Sequence, residues 1–516
     1  MDALVIRLGF IAAVCAGLLI CPPATRAEKS SPNVVLILAD DLGIGDVQCY
    51  NPDRGKIPTP NIDQLAADGM RFTDAHSSSA VCSPSRYTLL TGRYHWRTRL
   101  QRGIVELWEP PLIAPQRLTV AGLAKRRGYQ TACIGKWHLG WDWGITAGQR
   151  KFFGNFGPEA GAGRGPSDPE LATWKEVFSK PLGGGPLAAG FDRYFGADVP
   201  NWPPYCFIED HQTVGVPDSF LPRDMVRKGL ASHQGPALAG WKFEPILPAL
   251  GERASAFIRD CAQRSKPFFL YFPLTVPHTP LSVNEPWRGK SRLDRDVADL
   301  VMEMDDVVGK VLSSLNSAGV ASNTLVIFTS DNGFAPVAGN RELESKGHFP
   351  SGPYRGYKFD PWEGGHRVPF IVRWPGVVQP GASCEALIHH ADLMATLAAV
   401  WEVTLPEDAA EDSFNILPLL KGSRGKARKH AVSCAFNGAP TLRQDEWKLV
   451  CAPDERLGTR VHLFNLKNDP AETKNLATAQ PDRVRKMRAA LDGIIDSGRS
   501  TRGKRQANDV EVRRHL

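Results

Sequence analysis

Two stretches, Asn33–Ala39 (NVVLILA) and Thr324–Ser330 (TLVIFTS), most constrain what this chain can fold into. Both are of strand length, predominantly apolar and β-branched. Neither has the polar alternation of a strand with one wet face. Strands of this kind lie in the middle of a parallel sheet covered by helices on both faces. Each run ends in two adjacent oxygen-bearing side chains, Asp40-Asp41 and Asp331-Asn332. The carboxyl ends of central strands are where open α/β sheets bind ligands. Helix capping accounts for one acid of such a pair and leaves the other without a reason. Three carboxylates and an amide are hard oxygen donors, which suit Ca2+ or Mg2+ rather than zinc.

The remaining periodicity fits an α/β fold. A large, mostly parallel central sheet is sandwiched by helices and followed by a smaller C-terminal α+β subdomain. Tyr129–Ile134, Pro267–Phe272 and Phe370–Trp374 read as further strands. Arg117–Arg127, Asp294–Ser314 and Ile388–Val400 read as helices. A chain of 516 residues accommodates one large and one smaller domain. The expected boundaries are 28–424 for the α/β domain, 425–496 for the subdomain and 497–516 for a basic polar tail, read as a solvated, mobile end. The subdomain is expected to be an antiparallel sheet with a helix on it. Its strands are Ala431–Phe436, Trp447–Cys451 and Val461–Leu466, and its helix is Pro481–Ile495. The stretch from Trp141 to about Trp241 is rich in glycine, proline and aromatics, and reads as long loops over the strand ends.

Residues 1–27 read as a secretory signal peptide. Arg7 precedes an apolar run, Leu8–Ile20, too short for a membrane span, and Ala24-Thr25-Arg26-Ala27 offers a small-residue cleavage site. Simple cleavage is favoured over a lipid anchor at Cys21, because Ile20 is not the small residue such an anchor needs. The mature chain is therefore expected to be exported, periplasmic or secreted, with no integral membrane segment. The full chain's formal charge of +7 is spread among many acids and leaves no nucleic-acid footprint. Eight cysteines follow the signal without any Cys-x-x-Cys pair, so neither a metal-thiolate site nor a dense disulfide framework is indicated.

One short stretch carries a second kind of signal, Cys82-Ser83-Pro84-Ser85-Arg86, running on into Leu90-Thr91-Gly92-Arg93. A helix starting at the proline brings Cys82 and Arg86 to its N-terminal end, which favours an anion. Gly135-Lys136-Trp137-His138-Leu139-Gly140 follows a strand, and in extended chain Lys136 and His138 point to the same side. His278 follows another strand, and Lys358 precedes the glycines of Glu363-Gly364-Gly365.

In order along the chain, Leu38–Gly43, Cys82–Arg86, Gly135–Gly140, Pro277-His278-Thr279-Pro280, Ser330–Gly333, Lys358 with Glu363-Gly364-Gly365, and a closing Leu463–Leu466 with Asp469-Pro470-Ala471-Glu472 resemble type I sulfatases of the alkaline phosphatase superfamily. The resemblance covers nearly the whole mature chain. It implies an alkaline phosphatase-like fold and one Ca2+ held by Asp40, Asp41, Asp331 and Asn332. It also implies oxidation of Cys82 to formylglycine by a formylglycine-generating enzyme, the modified residue completing the metal site. Arg86 is expected to steady the formylglycine hydrate, and Lys136 and His138 to flank the sulfate or the hydrate. His278 and Lys358 are expected to contact the sulfate and the leaving oxygen.

The chemistry asks for such a set. Sulfate monoesters hydrolyse very slowly and need an in-line nucleophile with cations on the equatorial oxygens. A plain cysteine would leave a stable thiosulfate-type ester. A hydrated aldehyde instead offers one hydroxyl to attack sulfur and a second whose deprotonation expels sulfate. His138 is a reasonable base for that step, and His278 or Lys358 a source of the proton for the leaving oxygen. Export favours a sulfated glycan as substrate, although a sulfated small molecule fits the same chemistry. Trp137–Trp143 and Trp202 are candidate platforms for sugar rings, with simple packing as the alternative. Two other functions remain open: a phosphonate monoester or phosphodiester hydrolase using the same nucleophile, and an inactive secreted carbohydrate-binding scaffold.

Overall fold

Apolar runs that lack a polar face become the centre of a ten-stranded sheet in the computed structural model, which describes residues 31–154, 165–452 and 461–514. The strands are β1 (Asn33–Asp40), β2 (Met70–Phe72), β3 (Gln130–Ile134), β4 (Arg193–Gly196), β5 (Ile208–Glu209), β6 (Gln212–Thr213), β7 (Phe268–Pro277), β8 (Thr324–Ser330), β9 (Phe370–Arg373) and β10 (Ala382–Cys384). Their order is β10-β2-β9-β8-β1-β7-β3-β4-β5-β6. The five from β8 to β4 are parallel, while β9 runs antiparallel to β8 and to β2. Alternate residues of β1 enter opposite cores. Val34, Leu36 and Leu38 belong to one, and Val35, Ile37 and Ala39 to the other. Both faces are dry, so the strand has no polar alternation.

Register then fixes the site. Ala39 pairs with Ser330 and Asp40 with Pro277, so the residues that follow β1, β7 and β8 emerge side by side at one edge. Lys136 joins them after β3, its N–H donating to Pro273 O at 2.8 Å. Gly135 makes that approach possible. It has φ +137°, and a Cβ there would lie 1.7 Å from the Pro273 carbonyl oxygen.

Helices cover the two faces. They include α1 (Pro60–Ala67), α2 (Cys82–Thr91), α3 (Val120–Arg126), α4 (Ile246–Gln263), α5 (Asp296–Ser317) and α6 (Asp392–Val400). Helix α2 begins at Cys82 itself, two residues before the expected start at Pro84, with Val81 extended as its N-cap. Gly92, left-handed at φ +65°, ends it. The expected loop region 141–241 holds a helix at Asp168–Phe178 and strand β4. Ser167 and Glu170 form a capping box at the start of that helix.

Beyond residue 429 a four-stranded antiparallel sheet forms from β11 (His430–Cys434), β12 (Pro440–Gln444), β13 (Trp447–Val450) and β14 (His462–Asn465). Helix α7 (Pro481–Asp496) buries Met487, Leu491, Ile494 and Ile495 against it. The tail expected to be solvated and mobile is instead strapped down as far as Arg514, which pairs with Asp492 at 2.9 Å. Asp509 pairs with Arg93 at 3.0 Å and Asn508 with Arg97 at 2.9 Å, and both arginines are fully buried. A buried guanidinium needs acceptors, and the tail supplies them. The expected signal segment 1–27 lies outside the described residues. Among the described residues no helix is long and apolar enough to cross a membrane, and the eight described cysteines form no disulfide.

Candidate active site

The ten residues singled out from the sequence gather where β1, β3, β7 and β8 end against the start of α2. Cys82 Sγ lies 3.5 Å from Asp40 Oδ1 and 3.5 Å from Lys136 Nζ. Lys136 Nζ donates to Asp40 Oδ2 at 2.7 Å. Arg86 places Nε and Nη2 on Asp331 Oδ2 at 3.1 and 2.8 Å, and Nη1 on the Lys136 carbonyl at 3.0 Å. Lys358 Nζ grips both oxygens of Asp41, at 2.7 and 2.8 Å. His278 Nε2 stands 3.7 Å from Asp41 Oδ2. Three acids thus face three basic side chains in a largely buried site, with His278 at its partly open edge.

The four ligand-type atoms that lie within 4.8 Å of one another come from Asp40, Asp41, Cys82 and His278. Asp331 adjoins them with its Oδ1 accepting the Asp41 N–H at 3.1 Å. Asn332 donates its amide to Asp41 Oδ1 at 2.8 Å, and its own Oδ1 is buried without a partner. A buried carbonyl oxygen without a donor is costly. A cation beside it removes that cost, so the donor set of Asp40, Asp41, Asp331 and Asn332 fits a hard divalent ion. Gly333 allows this loop to pack tightly, since a Cβ there would lie 1.8 Å from the Gly364 carbonyl oxygen.

Electrostatics follow from burial and from these pairs. For Asp40, burial alone would raise the pKa, but Lys136, His278, Arg86 and Lys358 together hold it well below the usual carboxylate range. Burial, with Asp40 beside it, pushes Asp331 up. Burial would deprotonate Lys358, and Asp41 reverses that, keeping it an ammonium. Burial pushes the Cys82 thiol far up despite Lys136 and Lys358 nearby, so the unmodified side chain is a thiol and not a thiolate. Burial, then Lys136 and Lys358, take His278 down to about 4.

His138 is held in an unusual pose, with φ +55°. Its Nε2 lies 3.1 Å from the Val105 carbonyl, so that nitrogen carries the hydrogen. Nδ1 is left buried without a partner, as an acceptor. Burial and then Lys136 keep the ring neutral. Sequence reasoning missed what holds this residue. Asp198 Oδ1 accepts the His138 backbone N–H at 3.0 Å, and Ser83 Oγ accepts the N–H of Val105 at 3.1 Å. A single acid in a glycine- and proline-rich stretch gives no sequence signal. Trp137, Trp141 and Trp143 are core residues and serve packing, while Trp202 is half-buried with its ring edge-on to His138 at 5.3 Å.

A second cluster lies behind Glu363. His76, Glu363 and His366 could together hold an ion, but Lys448 already supplies the cation. Its Nζ lies 3.0 Å from Glu363, 2.8 Å from Glu472 and 3.2 Å from His366 Nε2. Lys448 belongs to β13, so this buried network joins the C-terminal sheet to the segment that carries Lys358. Of it, the sequence motifs contained Glu363 and Glu472 without indicating what they do.

Comparison with known proteins agrees with this arrangement. The sulfatase family description matches residues 32–403, and that of the N-sulphoglucosamine sulphohydrolase C-terminal region matches 358–496. An N-acetylgalactosamine-6-O-sulfatase of Bacteroides thetaiotaomicron is 33% identical over 499 residues, covering 90% of this chain and 94% of that one. Human arylsulfatase A is 34% identical over 532 residues, covering 94% and 92%. A solved sulfatase from a glycosaminoglycan-metabolism locus of Bacteroides thetaiotaomicron superposes with a TM-score of 0.74 at 31% identity, covering 90% of this chain and 99% of that one. The chain therefore belongs to the sulfatase family, type I within the alkaline phosphatase superfamily, and is a sulfuric ester hydrolase.

Proposed function

We propose that this sulfatase hydrolyses sulfate monoesters of carbohydrates, with a formylglycine hydrate derived from Cys82 as nucleophile and Ca2+ as its metal. The observation that carries the reading is the position of Cys82. It opens a helix 3.5 Å from both a carboxylate and an ammonium, beside an unpartnered amide oxygen. The thiol there is protonated, so cysteine itself is a poor nucleophile. A hydrated aldehyde at position 82 supplies a hydroxyl nucleophile and a second hydroxyl through which sulfate is released. Ca2+ bound by Asp40, Asp41, Asp331 and Asn332 would neutralise charge on the ester and acidify the attacking oxygen.

The chain's own groups do the rest. Arg86 fixes Asp331 and the Lys136 carbonyl, and so sets the distance between α2 and the ends of the strands. Lys136 and Lys358 bring ammonium groups to an anion held at the start of α2. His138, with its hydrogen committed to Val105, presents Nδ1 as the base for the sulfate-release step. Lys358, an ammonium on Asp41, is the first candidate to protonate the leaving oxygen, and His278, neutral beside Asp41, is placed to donate its N–H to the sulfate or that oxygen.

The carbohydrate assignment draws on the relative named as an N-acetylgalactosamine-6-O-sulfatase and on the neighbour from a glycosaminoglycan locus. Export through residues 1–27 to a periplasmic or extracellular space, and maturation by a formylglycine-generating enzyme, belong to the same proposal. A panel of N-acetylgalactosamine 6-sulfate, 4-methylumbelliferyl sulfate and bis(4-nitrophenyl) phosphate tests it. The glycan sulfate is expected to show the highest kcat/KM. Preference for the phosphodiester would overturn the reading.

A further inference from the structure

Among the described residues, four large hydrophobic side chains are exposed: Val214, Val337, Phe359 and Phe436. Val337 and Phe359 line one groove of about 1090 Å³, and Phe436 lies between two of its other lining residues, Ala435 and Asn437. The groove opens beside the active site but is not part of it, since none of the ten site residues lines it. Its remaining wall is mostly polar and of mixed charge, with Asn340, Arg341 and Asn437 facing it beside the acids Glu342, Glu344 and Asp360. Exposed apolar surface rimmed by hydrogen-bonding groups marks a binding site.

The two rings are held in place rather than left over. Phe359 has φ +79°, which a bulky side chain avoids. Its backbone is pinned on both sides, with its N–H donating to Ala80 O at 2.9 Å and its carbonyl accepting from Phe436 N at 3.0 Å. Ala80 N donates in turn to Cys434 O at 2.8 Å, and Gly103 N to Phe436 O at 2.7 Å. The segment leading into Cys82, the residue after Lys358 and the turn after β11 are therefore one hydrogen-bonded assembly. The rings meet edge to face, with centroids 5.5 Å apart, and Lys358 Nζ lies 5.5 Å from the Phe359 ring. Phe359 remains 45% exposed and Phe436 41%. Backbone strain maintained to keep an aromatic ring in solvent next to an active-site lysine points to a ligand for that ring.

We infer that Phe359 and Phe436 form a platform for the sugar part of the substrate, and that the groove beyond them receives the glycan chain on the leaving-group side. A pyranose ring has an apolar C–H face that covers an aromatic ring and hydroxyl edges that suit Asn340, Arg341 and Asn437. The groove is larger than one monosaccharide needs, which matches a chain rather than a single sugar. Phe359 and Phe436 are specificity-determining residues on this account, and the inference rests on the carbohydrate reading above.

The test compares the matured wild type with Phe359→Ala, Phe436→Ala and Phe436→Tyr, using N-acetylgalactosamine 6-sulfate and a 6-sulfated chondroitin tetrasaccharide. Each alanine variant is expected to raise KM for the tetrasaccharide about tenfold, with a smaller rise for the monosaccharide. The loss appears in KM rather than kcat. Inhibition by inorganic sulfate, which occupies only the anion pocket, should not change, and Phe436→Tyr should restore KM. Phe436 is exposed, so its variants carry the test if Phe359→Ala does not fold. Normal tetrasaccharide turnover with unchanged KM in Phe436→Ala would overturn the platform alone. A wild type that cleaves 4-methylumbelliferyl sulfate and neither glycan would overturn the carbohydrate reading, and the groove's assignment with it.

Discussion

Asp41 and His138 both sit at positive φ, +67° and +55°, where non-glycine residues are uncommon. Each is over-determined by its partners: Asp41 by Lys358 and Asn332, His138 by Val105 and Asp198. Removing the His138 imidazole by His138→Ala is expected to slow turnover by about 10²–10⁴-fold, read as kcat on the preferred sulfate ester. Asp198 offers a finer test. Burial pushes its carboxyl up to about 6, against the hydrogen bond from the His138 backbone and the charges of Lys136 and Arg86. Its folded pKa lies above the unfolded value of 3.8, so ionising it costs stability. That cost is absent below the unfolded value and complete above the folded one. Asp198→Asn keeps an acceptor for the His138 N–H without the charge. It should be at least as stable as wild type above pH 6 by thermal melting, and should lose the part of the acid limb of activity near pH 6 that Asp198 supplies. An unaltered pH profile in Asp198→Asn would show that Asp198 does not tune His138.

The strands ending at the site were readable because they are dry on both sides. A continuous run such as NVVLILA has only one home in an α/β protein. Leu36→Ala in β1 is expected to cost about 2–5 kcal/mol, measured by denaturant unfolding. Elements with more polar sequences were not readable, even where they are buried. β12 is PTLRQ, beginning with a proline and carrying polar residues, and no sequence pattern marked it. The start of α2 was placed at Pro84 by its suitability for the first turn, whereas Val81 caps the helix and brings Cys82 into that turn. Lys448 on β13 was equally silent, because its role depends on Glu363 and Glu472, one on each side of it in sequence. Lys448→Ala takes the cation from buried Glu472 and leaves Glu363 to Arg367 and Arg443, and is expected to cost about 3–5 kcal/mol. A melting temperature within a degree of wild type would show that the network does not join the two parts.

The whole molecule brings distant stretches of sequence to one point. β11 reaches the segment before Cys82 through Ser79–Cys434 bridging, so the C-terminal sheet forms part of the wall around the site rather than a separate appendage. The order of motifs along the chain was legible, and so was the chemistry each could contribute. Their convergence required the register of β1 with β7 and β8, which a single sequence does not display. If Ca2+ links those strand ends, chelation should lower both activity and melting temperature. Restoring Ca2+ at about a thousandfold over its Kd should return stability on the order of 4 kcal/mol. Calorimetric scans with and without chelator check this, and identical melting curves would argue against a resident ion.

Turnover depends on the nucleophile at position 82, and intact-peptide mass spectrometry of the fragment containing Cys82 tests it most directly. The protein should be coexpressed with a formylglycine-generating enzyme and its activity measured on the same preparation. Conversion of the Cys82 thiol to an aldehyde is expected, with turnover proportional to the converted fraction. Full turnover by protein whose Cys82 remains a thiol would contradict it.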